Sequence, residues 1–164
     1  MATKPIIKPN LTPTDKFIEI IGWCAVVAIW IMTIIYYPEL PDTIPIHFDY
    51  TGQADGFGGK EKILILPVTT TLLFALMTLL NKFPHIFNYP VEITETNALR
   101  QYTIATKLIR FLKLAIVVIL GLIEFTSIQI ANGQNGLGTL FLPFTIGFIL
   151  LPLVYFVLKM YKAR

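Results

Sequence analysis

Apolar residues crowd into four stretches of this chain, 17–37, 63–81, 111–130 and 140–158, each with almost no charge. Each is about 20 residues, the length an α-helix needs to cross ~30 Å of hydrocarbon at ~1.5 Å per residue. A different pattern separates the first two. There Ile44, Ile46 and Phe48 alternate with Pro45, His47 and Asp49, the period of two expected of an extended, two-faced segment. After residue 94 the pattern turns helical again, with Leu99, Tyr102, Leu108 and Ile109 among Arg100, Gln101 and Lys107. It predicts a helix that starts near Asn97 and runs on into the third apolar stretch. The expected architecture is an all-α integral membrane protein of four transmembrane helices, with a structured outer loop at 38–62 and a cytoplasmic linker at 82–110.

Charge sets the orientation. Of the 13 Lys and Arg residues, three precede the first stretch and two lie in the first loop. Five fall between residue 82 and Lys113, none in the third loop and three in the tail. Cytoplasmic flanks are enriched in Lys and Arg, so both termini, 1–16 and 159–164, are expected inside. Residues 38–62 and 131–139 are expected outside. A chain that is 55% apolar and 14% charged is no ordinary soluble domain. Its net charge of +3 is no nucleic-acid signal either, because the basic residues sit at helix ends beside lipid headgroups. The bilayer is thus the first expected partner, and no nucleic acid is.

Local signals refine the picture. The first stretch is longer than a signal peptide's apolar region and ends without a small-x-small cleavage pattern, so a retained anchor helix is expected. Pro5, Pro9 and Pro13 should keep residues 1–14 a mobile tail, with Thr14 or Asp15 capping the first helix. Gly22, Ala25 and Ala28 give that helix a small-residue stripe for close packing, and the lone Cys24 is expected to be a buried packing residue. Pro152 falls inside the fourth stretch, where it should kink the helix. Lys113 is expected to snorkel to the inner headgroups, and Glu19 to reach them as well.

The first loop holds the most specific pattern, Pro41-x-x-Ile44-Pro45-x-His47-Phe48-Asp49-x-x-Gly52-x-x-Asp55. Asp49 and Gly52 suit a tight turn, and Gly56, Gly58 and Gly59 allow a sharp return into helix two. The second loop carries Asn88-Tyr89-Pro90-Val91-x-Ile93-Thr94-x-x-Asn97, followed by Gln101-Tyr102. In order and placement these two runs resemble the Sdp-type immunity-protein family of bacteria, whose N-terminal part is a domain of unknown function. The resemblance covers most of residues 17–130. It implies a multi-pass protein of the bacterial plasma membrane, with a secreted peptide toxin outside or a regulator inside as partner. The founding members of the family protect a producer cell from its own toxin and relay the toxin's presence to a cytoplasmic repressor.

Other chemistry is weighed on the same residues. His47 with Asp42, Asp49 and Asp55 offers nitrogen and oxygen donors, but a lone histidine lacks the paired spacing of zinc sites, and no metal or other cofactor is expected. Those side chains either organise the loop through hydrogen bonds or contact a partner. A calcium loop starting at Asp49 fails, with Ala54 where glycine is required and Lys60 where a chelating glutamate belongs. A phosphate loop ending at Lys60 fails as well, with Glu61 in place of Ser or Thr. No HExxH, GxSxG or paired intramembrane aspartate is present, so no enzyme is expected. Glu124 is the one acid deep within a span. By default it is a functional candidate, and it is the basis of the alternative reading, a small transporter or transporter subunit. The plainer reading is a protonated or hydrogen-bonded glutamate, with Thr126 or a first-loop donor as its partner.

Overall fold

The computed structural model describes residues 4–136 and 138–163. Helix α1 spans Pro13–Tyr36, strands β1 and β2 span Thr43–Phe48 and Ala54–Gly59, and helices α2, α3 and α4 span Ile65–Leu80, Ala98–Ala131 and Phe141–Lys162. Short 3-10 turns at Tyr37–Glu39, Lys60–Leu64 and Pro84–Ile86 join them. We call the end that holds the starts of α1 and α3 the base, and the end that holds the strands the crown. The fold is mostly helical, and the expectation of an all-α chain is corrected by the two-stranded antiparallel sheet at the crown.

Among the described residues, three segments are long and apolar enough to cross a membrane, Pro13–Glu39, Lys60–Leu80 and Phe141–Lys162. Their apolar side chains are largely outward. On α1, Ile20, Val27, Ile31 and Ile34 are exposed while Gly22, Val26, Ile29 and Thr33 face inward. A helix apolar all round belongs in lipid or in the core of a large protein, and this bundle is too small to be the latter. Cys24 is exposed on this surface, contrary to the expected buried position, because the inward stripe takes its neighbours at three- and four-residue steps.

Helix α3 is the axis of the fold. It packs against α1, α2, α4 and β1, and its 34 residues rise about 50 Å from base to crown. The linker helix and the third apolar stretch are therefore one element. Helix α1 begins less than a turn earlier than a cap at Thr14 or Asp15 would place it. Thr12 is the cap, its backbone N–H donating to Asp15 Oδ2 at 2.9 Å while Asp15 N–H returns to Thr12 Oγ1 at 3.3 Å. Pro13 starts the helix instead of breaking it, since the first turn needs no N–H there. Upstream, the chain is docked, not free. Tyr102 donates its hydroxyl proton to the Pro5 carbonyl at 2.9 Å, and Lys4 donates to the Phe87 carbonyl. The first three residues of the expected tail lie outside the described ones.

Close packing at mid-height depends on Gly22. A Cβ there would stand 2.5 Å from the Phe74 ring of α2, so the missing side chain is what lets Phe74 sit between Val26, Ile29 and Val117. Ala25 is half-buried beside it and Ala28 is exposed, so the small-residue stripe narrows to one glycine. Pro152 lies within α4, whose only fully buried side chain is Met160 near the base.

Candidate functional site

The crown is built from the first loop. Strands β1 and β2 pair antiparallel, Thr43 opposite Gly59 and Phe48 opposite Ala54, with irregular register around His47. That bulge breaks the expected alternation. Ile44 is fully buried among Leu40, Ile63 and Ile128, and Pro45 is buried with it, while Ile46 is 43% exposed. Ile44, Ile46 and Phe48 therefore do not share one buried face.

Between the strands the motif's polar residues make the turn. Asp49 accepts from Thr51 N–H at 2.8 Å, from the Thr51 hydroxyl at 2.6 Å and from Gln53 N–H at 3.0 Å. The Thr51 hydroxyl above all, with the two backbone N–H groups, holds the Asp49 carboxyl below its ordinary range. Gly52 sits at φ 78°, a conformation that side chains resist. A Cβ on it would also lie 2.7 Å from the Gly138 carbonyl oxygen of the third loop. The turn thus rests directly on the connection between α3 and α4. One residue pair faces outward: the His47 imidazole contacts the Asp55 carboxylate through Nδ1, with side chains 72% and 47% exposed. Beneath β1 a cavity of about 230 Å³ opens between α2 and α3, lined by Pro45, Ile46, Phe48, Ile65, Ile123 and Ser127 among others. His47, Asp49, Gly52 and Asp55 are brought together in one hairpin, with Pro45 and Phe48 on the underlying cavity. The described residues contain no cluster of three or more metal-binding side chains.

The second-loop motif lies at the base, the far end of α3. Asn97 accepts from Thr94 N–H at 2.9 Å and donates to the Glu92 carbonyl at 3.0 Å, shaping the turn that launches α3. Tyr89 stacks obliquely on Tyr102 with ring centres 5.5 Å apart and donates to the Pro84 carbonyl. Burial, with a smaller contribution from Tyr102, raises its pKa. Asn88 and Pro90 are exposed and join no cluster with the others. This motif and the crown motif form no common site.

Glu124 is fully buried under the crown. Its partner is neither Thr126 nor a first-loop group but Thr33 of α1, which the α1–α3 crossing brings opposite. Thr33 Oγ1 also reaches the Ile29 carbonyl at 2.9 Å. One hydroxyl proton cannot serve both acceptors, so a neutral Glu124 that donates to Thr33 leaves the Thr33 proton for the Ile29 carbonyl. Among the described residues Glu124 Oε2 has no hydrogen-bond partner.

Sequence reasoning missed a charged cluster near the base. Lys113 does not snorkel: its side chain is 0% exposed and donates to Glu19 Oε2 at 2.5 Å and to the Thr78 hydroxyl at 2.6 Å. Arg110 lies 3.3 Å from Glu19 and 3.6 Å from Asp15. The expected route to headgroups is overturned because carboxylates four residues apart on α1 face cations three residues apart on α3. That spacing, read on both helices at once, was the available signal.

Residues 24–71, from mid-α1 through the hairpin into α2, match a family model described as Domain of unknown function (DUF1648). A protein of Archaeoglobus fulgidus described only as uncharacterized is 31% identical over 104 residues, 58% of this chain. The match spans 57% of that relative's length. No solved structure matches the chain.

Proposed function

We propose that the chain is a four-span plasma-membrane protein, both termini cytoplasmic, whose crown hairpin recognises a partner outside the cell, in the manner of the Sdp-type immunity proteins it resembles. The apolar part of α3 is the fourth span, and its lysine, Lys113, is neutralised in place by Glu19 of α1. The crown then faces outward, which agrees with ten basic residues in the segments read as cytoplasmic against two outside. The reading is non-enzymatic: a secreted peptide toxin is the proposed ligand, and any cytoplasmic regulator would meet the base.

One observation carries the proposal. The hairpin spends its most specific residues on a rigid turn that presents the exposed His47–Asp55 pair above an apolar cavity. A polar edge beside an apolar slot fits a peptide that offers both kinds of contact. The test is protection of a sensitive host against the peptide fraction secreted by the source organism. His47→Ala/Asp55→Ala should lose protection at matched membrane abundance, and Glu124→Gln should keep it.

The alternative is a small transporter or transporter subunit, and the unpartnered Glu124 Oε2 is what favours it. In that case Glu124→Gln removes activity and the hairpin variants only tune it.

A further inference from the structure

At the base, a cavity of about 220 Å³ opens where the segment before α1, the end of α2 and α3 meet; Lys8, Leu11, Asn81, Lys82, Thr106 and Arg110 line it. Three of these side chains are cationic. Arg110 is compensated, since Asp15 and Glu19 balance Arg110 and Lys113 two against two. Lys8 and Lys82 are not: among the described residues neither forms an ion pair with a carboxylate. Arg110 Nε lies near Glu19, yet its N–H lacks a hydrogen bond. Two uncompensated lysines and the Arg110 guanidinium therefore line one concave space, contributed by three separate segments. Like charges held together in this way attract a compact anion.

We propose that this cavity binds a phosphate-bearing anion, supplied either as a phospholipid headgroup or as free phosphate. Guanidinium and ammonium groups are the side chains best matched to phosphate oxygens. The volume is below the ~300–1,000 Å³ of sites for drug-sized ligands, a size that suits a headgroup. Leu11, with the neighbouring Pro9 and Pro84, adds an apolar rim against which a glycerol backbone can rest. Basic pockets beside membrane helices bind anionic headgroups by this chemistry. The site is independent of the crown and of the recognition reading.

The test uses the purified full chain in mild detergent, titrated with phosphatidylglycerol or phosphatidylcholine and followed by native mass spectrometry. Lys8 and Lys82 are exposed, so Lys8→Gln/Lys82→Gln removes charge without removing core packing, and an unchanged unfolding temperature confirms that. Lys159→Gln/Lys162→Gln removes as much charge from the same end without touching the cavity. Phosphatidylglycerol should bind in preference to phosphatidylcholine, and the cavity variant should lose roughly tenfold or more in affinity while the tail variant loses far less. Displacement by inorganic phosphate would make free phosphate a sufficient ligand; its failure to displace would assign the site to the lipid. Equal binding of the two lipids, or equal loss in the two variants, would overturn the proposal.

Discussion

The two ends of the α1–α3 interface treat buried charge in opposite ways. At the base, Asp15 and Glu19 meet Arg110 and Lys113, so four ionisable groups sum to zero and every carboxylate has a cation within 4 Å. At the crown, Glu124 has a hydroxyl for company and one oxygen with no partner. A balanced cluster needs no proton and no ligand to persist, and its role is to fix which faces of α1 and α3 meet. A lone buried acid persists by staying neutral or by finding a ligand. The packed segment around Gly22 and Phe74 separates the two. The balanced cluster is therefore read as structural, and the crown as the place where recognition of a partner resides.

The base is where the largest effects on stability are expected. Lys113→Ala leaves Asp15 and half-buried Glu19 to share Arg110 alone, one carboxylate in excess, and should cost about 3 kcal/mol, measured by thermal unfolding in detergent. The double change Lys113→Met/Glu19→Leu removes both charges and leaves Asp15 and Arg110 paired, so it should recover most of that loss. If the double variant unfolds as readily as Lys113→Ala, the balanced-cluster account fails. Gly22→Ala comes next: a methyl group 2.5 Å from the Phe74 ring must push helices apart, at a cost of about 1–3 kcal/mol. An unchanged unfolding temperature would show that the two ends are not held in register by this contact.

Effects at the crown should be smaller. Glu124→Gln keeps its size and can donate to Thr33, so unfolding should change by no more than about 1 kcal/mol. A large loss would mean that the acid carries charge or binds something in the resting protein. The smallest effect is a pH dependence confined to the hairpin. The folded Asp49 carboxyl has a pKa depressed below 3.8, so its contribution is fully present above that value and is lost as pH falls through the folded one. Amide exchange at Thr51 and Gln53 should stay slow near neutrality and quicken below pH ~4 relative to the intrinsic rate. Asp49→Asn should flatten that dependence.

Much of this was legible one element at a time. Length and hydropathy mark the apolar helices, and Asp49 with Gly52 announces a turn before any strand is seen. The pairs that cross between helices were not legible. Lys113 alone looks like a snorkelling lysine, because its partner is 94 residues away. Glu124 alone invites a partner nearby in sequence, whereas Thr33 stands opposite through tertiary packing. The bulge at His47 depends on the pairing of β1 with β2, which a period of two in one strand cannot reveal. Thr12 is hidden as the cap because Pro13 beside it looks like a breaker, although proline also fits the first turn of a helix.

Recognition of the partner is proposed to happen at the hairpin. Hydrogen exchange of the chain in nanodiscs, with and without the secreted peptide fraction that cells expressing it survive, tests this most directly. The expected result is slowed exchange across 43–59 on adding the fraction, with the base amides around Arg110 and Lys113 unchanged. Unchanged exchange throughout the hairpin, in a sample of the protein that still protects cells, would contradict it.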